Sequence, residues 1–137
     1  MATLNVLHET FSDNPLDIVE QLVERNDWAF DRRGDNEIAF QVPGTWCDYS
    51  LFFAWNGEVG AIHFSCAFDT RVPQERRPFV NELLAMVNEK MWLGHFSVCS
   101  DDGLPMYRHA MPMRGTRGPT TEQIDDLIDL AILECER

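Results

Sequence analysis

The chain has 137 residues, 45% of them hydrophobic and 11% aromatic, which suits one globular domain long enough to bury a core without metal or disulfide staples. Acidic residues outnumber basic ones 23 to 11, and the net charge of −12 excludes general binding to nucleic-acid phosphates or to anionic membrane surfaces. No stretch nears the ~20 apolar residues of a membrane span. The start MATLNVLHETF lacks the cationic region of a secretory signal, and four dispersed cysteines suit reduced thiols in a cytoplasm.

Residues 1–13 read as a flexible arm ahead of a single domain over 14–137. Asn14-Pro15 supplies an N-cap and a proline at the first helical position, and Ile18, Val19, Leu22 and Val23 follow at helical spacing to about Arg25. The period then changes. Trp28-Ala29-Phe30 and the alternation Ile38, Phe40, Val42 read as two strands joined at Gly34-Asp35-Asn36, and Pro43-Gly44 ends the second. In WCDYSLFFAWNGEVGAIHFSCAFD, Asn56-Gly57 is the residue pair of a two-residue hairpin turn. Counting back from that turn pairs Trp55 with Glu58, Leu51 with Ile62, Tyr49 with Phe64 and Cys47 with Cys66. The more polar face then pairs Phe52 with Ala61, Ser50 with His63 and Asp48 with Ser65.

From about Gln74, the residues Phe79, Val80, Leu83, Leu84, Val87 and Met91 recur at helical spacing. Trp92 and Leu93 are expected to complete the core at the helix end, Gly94 to close the helix, and His95 to open a strand. Asp101-Asp102-Gly103 turns the chain into a last strand running from Met106 to Met113. Thr120-Thr121-Glu122-Gln123 has the form of a capping box. The helix it starts carries a core stripe of Ile124, Leu127, Ile128, Ala131 and Cys135. Leu130, Ile132 and Leu133 widen its apolar surface beyond one core face, so these three are expected to form an interface. The order α-β-β-β-β-α-β-β-α specifies an α+β fold with an antiparallel sheet.

Several constellations suggest chemistry. Asp48, Ser50 and His63 have the composition of a hydrolase triad, but a nucleophile sits on a sharp turn beside an oxyanion hole rather than in mid-strand. His95, His109 and Cys99 would suit zinc if a three-residue turn set the two histidines opposite each other, and a one-residue slip would separate them. A facing Cys47 and Cys66 read as small core residues. Arg114 and Arg117 make a cationic, glycine-containing loop without P-loop spacing. The sequence therefore points to no catalytic, cofactor or metal residue. A face holding Trp46, Phe52, Ala54 and Ala61 is expected to present apolar surface to a partner.

The segments NPLDIVEQLVERNDWAFDR, WCDYSLFFAW, IHFSCAFDTRVP, NEKMWLGHF, GLPMYRHA and LAILECER, in this order, resemble the YbjN family of bacterial proteins. The resemblance covers about Asn14 to the C-terminus. It implies a type III secretion chaperone-like fold, with helices against one face of a curved antiparallel sheet, and a role in sensory transduction regulation. It also implies homodimers that bind polypeptide segments; members of the family usually continue with a further aromatic and apolar segment past the position of Arg137, a point at which this sequence departs from them. It carries no catalytic motif onto this chain. The expected function is a non-enzymatic cytoplasmic adaptor or regulator binding itself and a protein or peptide, with a small-ligand sensor holding a pocket between sheet and helices as the alternative.

Overall fold

The structure, a computed structural model, describes residues 14–116 and 118–137, so the expected arm over 1–13 lies outside it. Helix α1 (Pro15–Arg25) is followed by strands β1 (Phe30–Arg33), β2 (Glu37–Pro43), β3 (Asp48–Asn56) and β4 (Ala61–Ala67). Helix α2 (Arg77–Asn88), entered through a 3-10 turn at Gln74–Arg76, leads to β5 (His95–Val98), β6 (Pro105–Pro112) and α3 (Thr121–Glu136). This is the expected order, and the fold is α+β. The six strands form one antiparallel sheet in the order β1-β2-β3-β4-β6-β5. Among the described residues no helix is long and apolar enough to cross a membrane.

Local chemistry starts the two core helices. Asn14 Oδ1 accepts from the Leu16 N–H at 2.9 Å, and Pro15 needs no partner at the first helical position. At α3 the Thr120 hydroxyl accepts from Gln123 N at 3.1 Å while the Gln123 side chain accepts from Thr120 N at 2.8 Å. Both helices lay their apolar stripes on one face of the sheet. Leu16, Val19, Leu22 and Val23 of α1 are buried there with Ile124, Leu127, Ile128, Ala131 and Cys135 of α3.

A row of six rings crosses that inner face. Trp28 stacks on Phe40 (5.8 Å between centroids), Phe40 on Phe53 (6.1 Å) and Phe53 on Phe64 (4.6 Å), and Phe64 meets Tyr107 (6.3 Å), which meets Phe96 (5.6 Å). Strands β2, β3, β4, β6 and β5 each contribute one ring, in the order in which they lie in the sheet. Such pairs add about 0.5–1.5 kcal/mol each beyond the area they bury.

The row overrides two registers read from local signals. In the β3–β4 hairpin Phe53 faces Phe64, Leu51 faces Cys66 and Trp55 faces Ile62, so the two-residue turn at Asn56-Gly57 does not form. The chain turns through Gly57–Gly60 instead. Asn56 Oδ1 accepts from Glu58 N (3.0 Å) and Val59 N (3.1 Å), and Gly60 takes the positive φ of 73°. The register moves by an even number of residues, so every side chain keeps its expected face. Tyr49 therefore does not face Phe64. Cys66 does not face Cys47 either, and lies with its sulfur 3.8 Å from that of Cys135 on α3. In the second hairpin Phe96 faces Tyr107 and His95 faces Arg108, one step from the pairing of His95 with His109.

The end of α2 corrects the sequence reading further. The helix stops at Asn88, and none of its residues is buried. Trp92 is 99% exposed and Leu93 half exposed, so neither completes the core. Gly94 does not cap the helix; it admits Tyr107. The Tyr107 hydroxyl donates to the Leu93 carbonyl at 2.7 Å, and a Cβ on Gly94 (φ 72°) would stand 2.5 Å from Tyr107 Cζ and 2.8 Å from the Arg108 carbonyl oxygen.

At the far end of the inner face Glu136 ties α3 to the β2–β3 loop. Its carboxylate accepts from Thr45 N (2.7 Å) and the Tyr49 hydroxyl (2.9 Å), and its backbone carbonyl accepts from Trp46 Nε1 (3.0 Å). Trp46, 73% exposed, thus stands beside α3 and does not share a face with Phe52, Ala54 and Ala61.

Two expectations follow. Gly94→Ala combines a disfavoured backbone conformation with a steric clash, and should destabilise the fold by about 2 kcal/mol or more in chemical denaturation, whereas Trp92→Ala should change it by less than about 0.5 kcal/mol. The Thr45 N–H, with the Tyr49 hydroxyl, holds Glu136 below its ordinary value of 4.5. A depressed folded-state pKa gives stability that is present above 4.5 and lost as pH falls through the folded value. The melting-temperature gap between wild type and Glu136→Gln should therefore be widest at neutral pH and close in acid; a gap independent of pH would contradict this.

Candidate functional site: an apolar groove beside helix α2

Helix α2 is fastened along β5, at one edge of the sheet. Asn88 grips both backbone groups of Phe96, its Oδ1 accepting from the Phe96 N–H at 2.7 Å and its Nδ2 donating to the Phe96 carbonyl at 2.9 Å. Arg77 at the other end donates to the Ser100 carbonyl at 3.0 Å. With these bonds and Leu84, which packs against the core, the helix is held on one side, and much of its apolar surface is left uncovered. Phe79, Leu83, Met86 and Val87 of α2, with Trp92 and Leu93 of the following turn, are all exposed.

Between this row and α3 lies a groove of about 720 Å³. Leu83, Met86 and Val87 form one wall, Met91, Trp92 and Leu93 the end, Phe96 part of the floor, and Leu130 of α3 the other wall. Its charged lining is Glu89, Lys90, Glu134 and Arg137, with Arg137 3.6 Å from Glu134. On a chain of net charge −12 this lining is locally neutral, and it takes the single lysine. Contiguous apolar surface of this kind marks an interaction site. Of the three expected interface residues, Leu130 lines the groove, Leu133 is exposed further along α3, and Ile132 packs against the core. Of the other groove residues, Leu83, Val87 and Met91 belong to the helical stripe read from the sequence, and Trp92 and Leu93 are the pair expected to complete the core; nothing local distinguishes an uncovered stripe from a covered one.

The sheet's other face is the outer one. Phe52, Ala54 and Ala61 lie on it together, half-buried, as expected. A second concavity of about 860 Å³, beside the β3–β4 turn, includes Ala54, Ala61, His63 and Ala110. The triad is not assembled. Ser50 faces Ala67 and His63 faces Ala54, which sets them four residues apart along the hairpin, roughly 13 Å at the rise of a strand. Nor are the expected zinc ligands brought together. His109 faces Phe64 on the inner side, His95 faces Arg108 on the outer side, and Cys99 lies beyond β5 in the loop. Arg114 is exposed, and Arg117 lies outside the described residues.

Residues 15–137 match the model of the YbjN family, whose description reads "Putative bacterial sensory transduction regulator". No curated protein matches the chain. Among solved structures, one described as "Crystal structure of YbjN, a putative transcription regulator from E. coli" is similar with a TM-score of 0.59 at 14% sequence identity, over 88% of this chain and 85% of that chain. At that identity the likeness concerns the fold, and it agrees with the mixed helix-and-antiparallel-sheet architecture described above. The family match runs from the first turn of α1 to the end of α3, and on that extent the chain belongs to the YbjN family of bacterial proteins.

Proposed function

We propose that this chain is a non-enzymatic cytoplasmic regulator that works by binding protein, and that it does so as a homodimer closed over the α2 groove. The observation that carries this reading is the uncovered row of Phe79, Leu83, Met86, Val87, Trp92 and Leu93. A helix with an apolar side and no buried residue is stable only where something else removes that side from water.

A second copy fits for two reasons. The groove is rich in aromatic residues and methionine, the composition enriched at interface cores, and homodimer interfaces are the most apolar kind. Its lining also carries both signs of charge, Lys90 and Arg137 against Glu89 and Glu134, so a two-fold contact can pair opposite charges where the rest of the chain would repel its copy. In this reading the outer face, with Phe52, Ala54 and Ala61, stays open to the polypeptide partner. Beneath α1 and α3 the ring row fills the inner face as one core, so the alternative, a ligand pocket between sheet and helices, would have to use the same α2 groove.

Light scattering at micromolar concentration tests the dimer. Wild type should run at twice the 15.8 kDa chain mass, and Met86→Glu, at an exposed position that does not disturb the fold, should weaken association at least about a hundredfold. A wild-type monomer, or a variant as dimeric as wild type, would remove the proposal.

A further inference from the structure

A second set of side chains lies on the outer face, away from the groove, and the dimer reading makes no use of it. Arg108 of β6 faces Ser65 of β4 on one side and His95 of β5 on the other, forming one row across three strands. His63 stands two residues before Ser65, on the same face and diagonal to Arg108. Arg108 Nη2 lies 2.9 Å from His63 Nε2. A guanidinium has only donors, so the histidine accepts on Nε2 and is held neutral with its proton on Nδ1.

Like Arg25, Arg71, Arg76, Arg77 and Arg114, Arg108 takes part in none of the ion pairs among the described residues, which engage Arg32, Arg33 and Arg137; it differs from these in resting against an imidazole. The groups that face the cluster from neighbouring elements are Phe52 and Ala54 on β3, Ser65 on β4, Ala110 on β6 and His95 on β5. The nearest acidic residue in the same register is Glu37, separated from His63 by Ala54 and thus two strands away. A half-buried guanidinium therefore rests against an imidazole where a carboxylate would be the stable neighbour. Burial, then the charge of Arg108, then His95 hold His63 below its ordinary pKa. An anion placed on the row would reverse that imbalance, because it favours the charged form of His63.

We propose that Arg108, His63, His95 and Ser65 form an oxyanion site on the outer sheet face, built for a phosphoryl group. The choice of phosphoryl over carboxylate rests on the number of donors. A carboxylate is satisfied by the two-pronged fork of one arginine. Here the Arg108 guanidinium meets the His63 imidazole, and Ser65 and His95, the residues opposite Arg108 on either side, add a hydroxyl and a second imidazole to the same patch of three strands. That set matches an anion with three acceptor oxygens and a charge near −2. Of the four residues only His63 lines the neighbouring concavity, whose other lining includes Ala54, Ala61 and Ala110 and the carboxylates Glu37 and Glu58, so a bound phosphoryl group would sit at the Arg108 side of His63. The site does not depend on the dimer, since it lies on the opposite side of the sheet from the core.

Histidine ring signals followed by NMR through a pH titration test this directly, in inorganic phosphate and in chloride at equal ionic strength. Phosphate should shift the His63 and His95 ring signals saturably and raise the His63 midpoint by about half a unit or more. Arg108→Gln should abolish saturation. If that variant does not fold, His95→Gln, at an exposed edge position, should weaken binding about tenfold. A parallel titration with O-phosphoserine separates the two sources of the group: tighter binding than inorganic phosphate assigns a phosphorylated side chain, weaker binding free phosphate. Absence of a saturable shift, an equal shift with acetate, or undiminished binding in Arg108→Gln would each overturn the site.

Discussion

The ring row from Trp28 through Phe40, Phe53, Phe64 and Tyr107 to Phe96 is the contact on which the rest of this structure depends, because it spans the strands and sets their alignment to one another. A strand pair can slip unless something on one face penalises slippage. Here the penalty is large, since a slipped strand would separate two aromatic contacts and replace them with smaller side chains. Helices α1 and α3 then lie over the row with apolar stripes that no other surface of the sheet can accept. Tyr107 reaches past the row to the Leu93 carbonyl, and that bond sets the path of the chain into β5. Glu136 does the same at the opposite end, where it joins α3 to the β2–β3 loop through Thr45 and Tyr49.

Because α1 and α3 together cover the inner face, little of it is left for α2. That helix sits at the sheet edge, pinned by Asn88 to the backbone of Phe96 and by Arg77 to Ser100. Covering an edge strand has a use of its own, since an open edge invites pairing with other chains. The consequence is that α2 turns an apolar side outward. The groove is thus a product of how core space was divided, and its rim is locally neutral on a strongly acidic chain.

The two surfaces proposed for binding are separated by the sheet. The groove lies with the helices, and the His63–Arg108 cluster lies on the face that carries no helix. A domain arranged in this way can associate through one side while the other stays free for a ligand or a polypeptide.

Much of the fold was legible in the sequence. The capped starts at Asn14 and Thr120, the core stripe of α3 and the alternation of the strands are local patterns, written within one turn of helix or a few residues of strand. Their physical causes are local too, so they survive in any tertiary context. Which residues pair across strands was not legible. Asn56-Gly57 signals a tight turn by itself, yet Phe53 and Phe64 are 11 positions apart in sequence and their contact outweighs the turn. Likewise Phe96 and Tyr107 chose the register that parts His95 from His109. The sequence by itself determined the elements, their order and which side of each is apolar, because propensity and periodicity act over short spans. Only the tertiary structure decided that the α2 stripe is left open and that Arg108 meets His63, because both depend on which surfaces compete for the same core and which strands become neighbours.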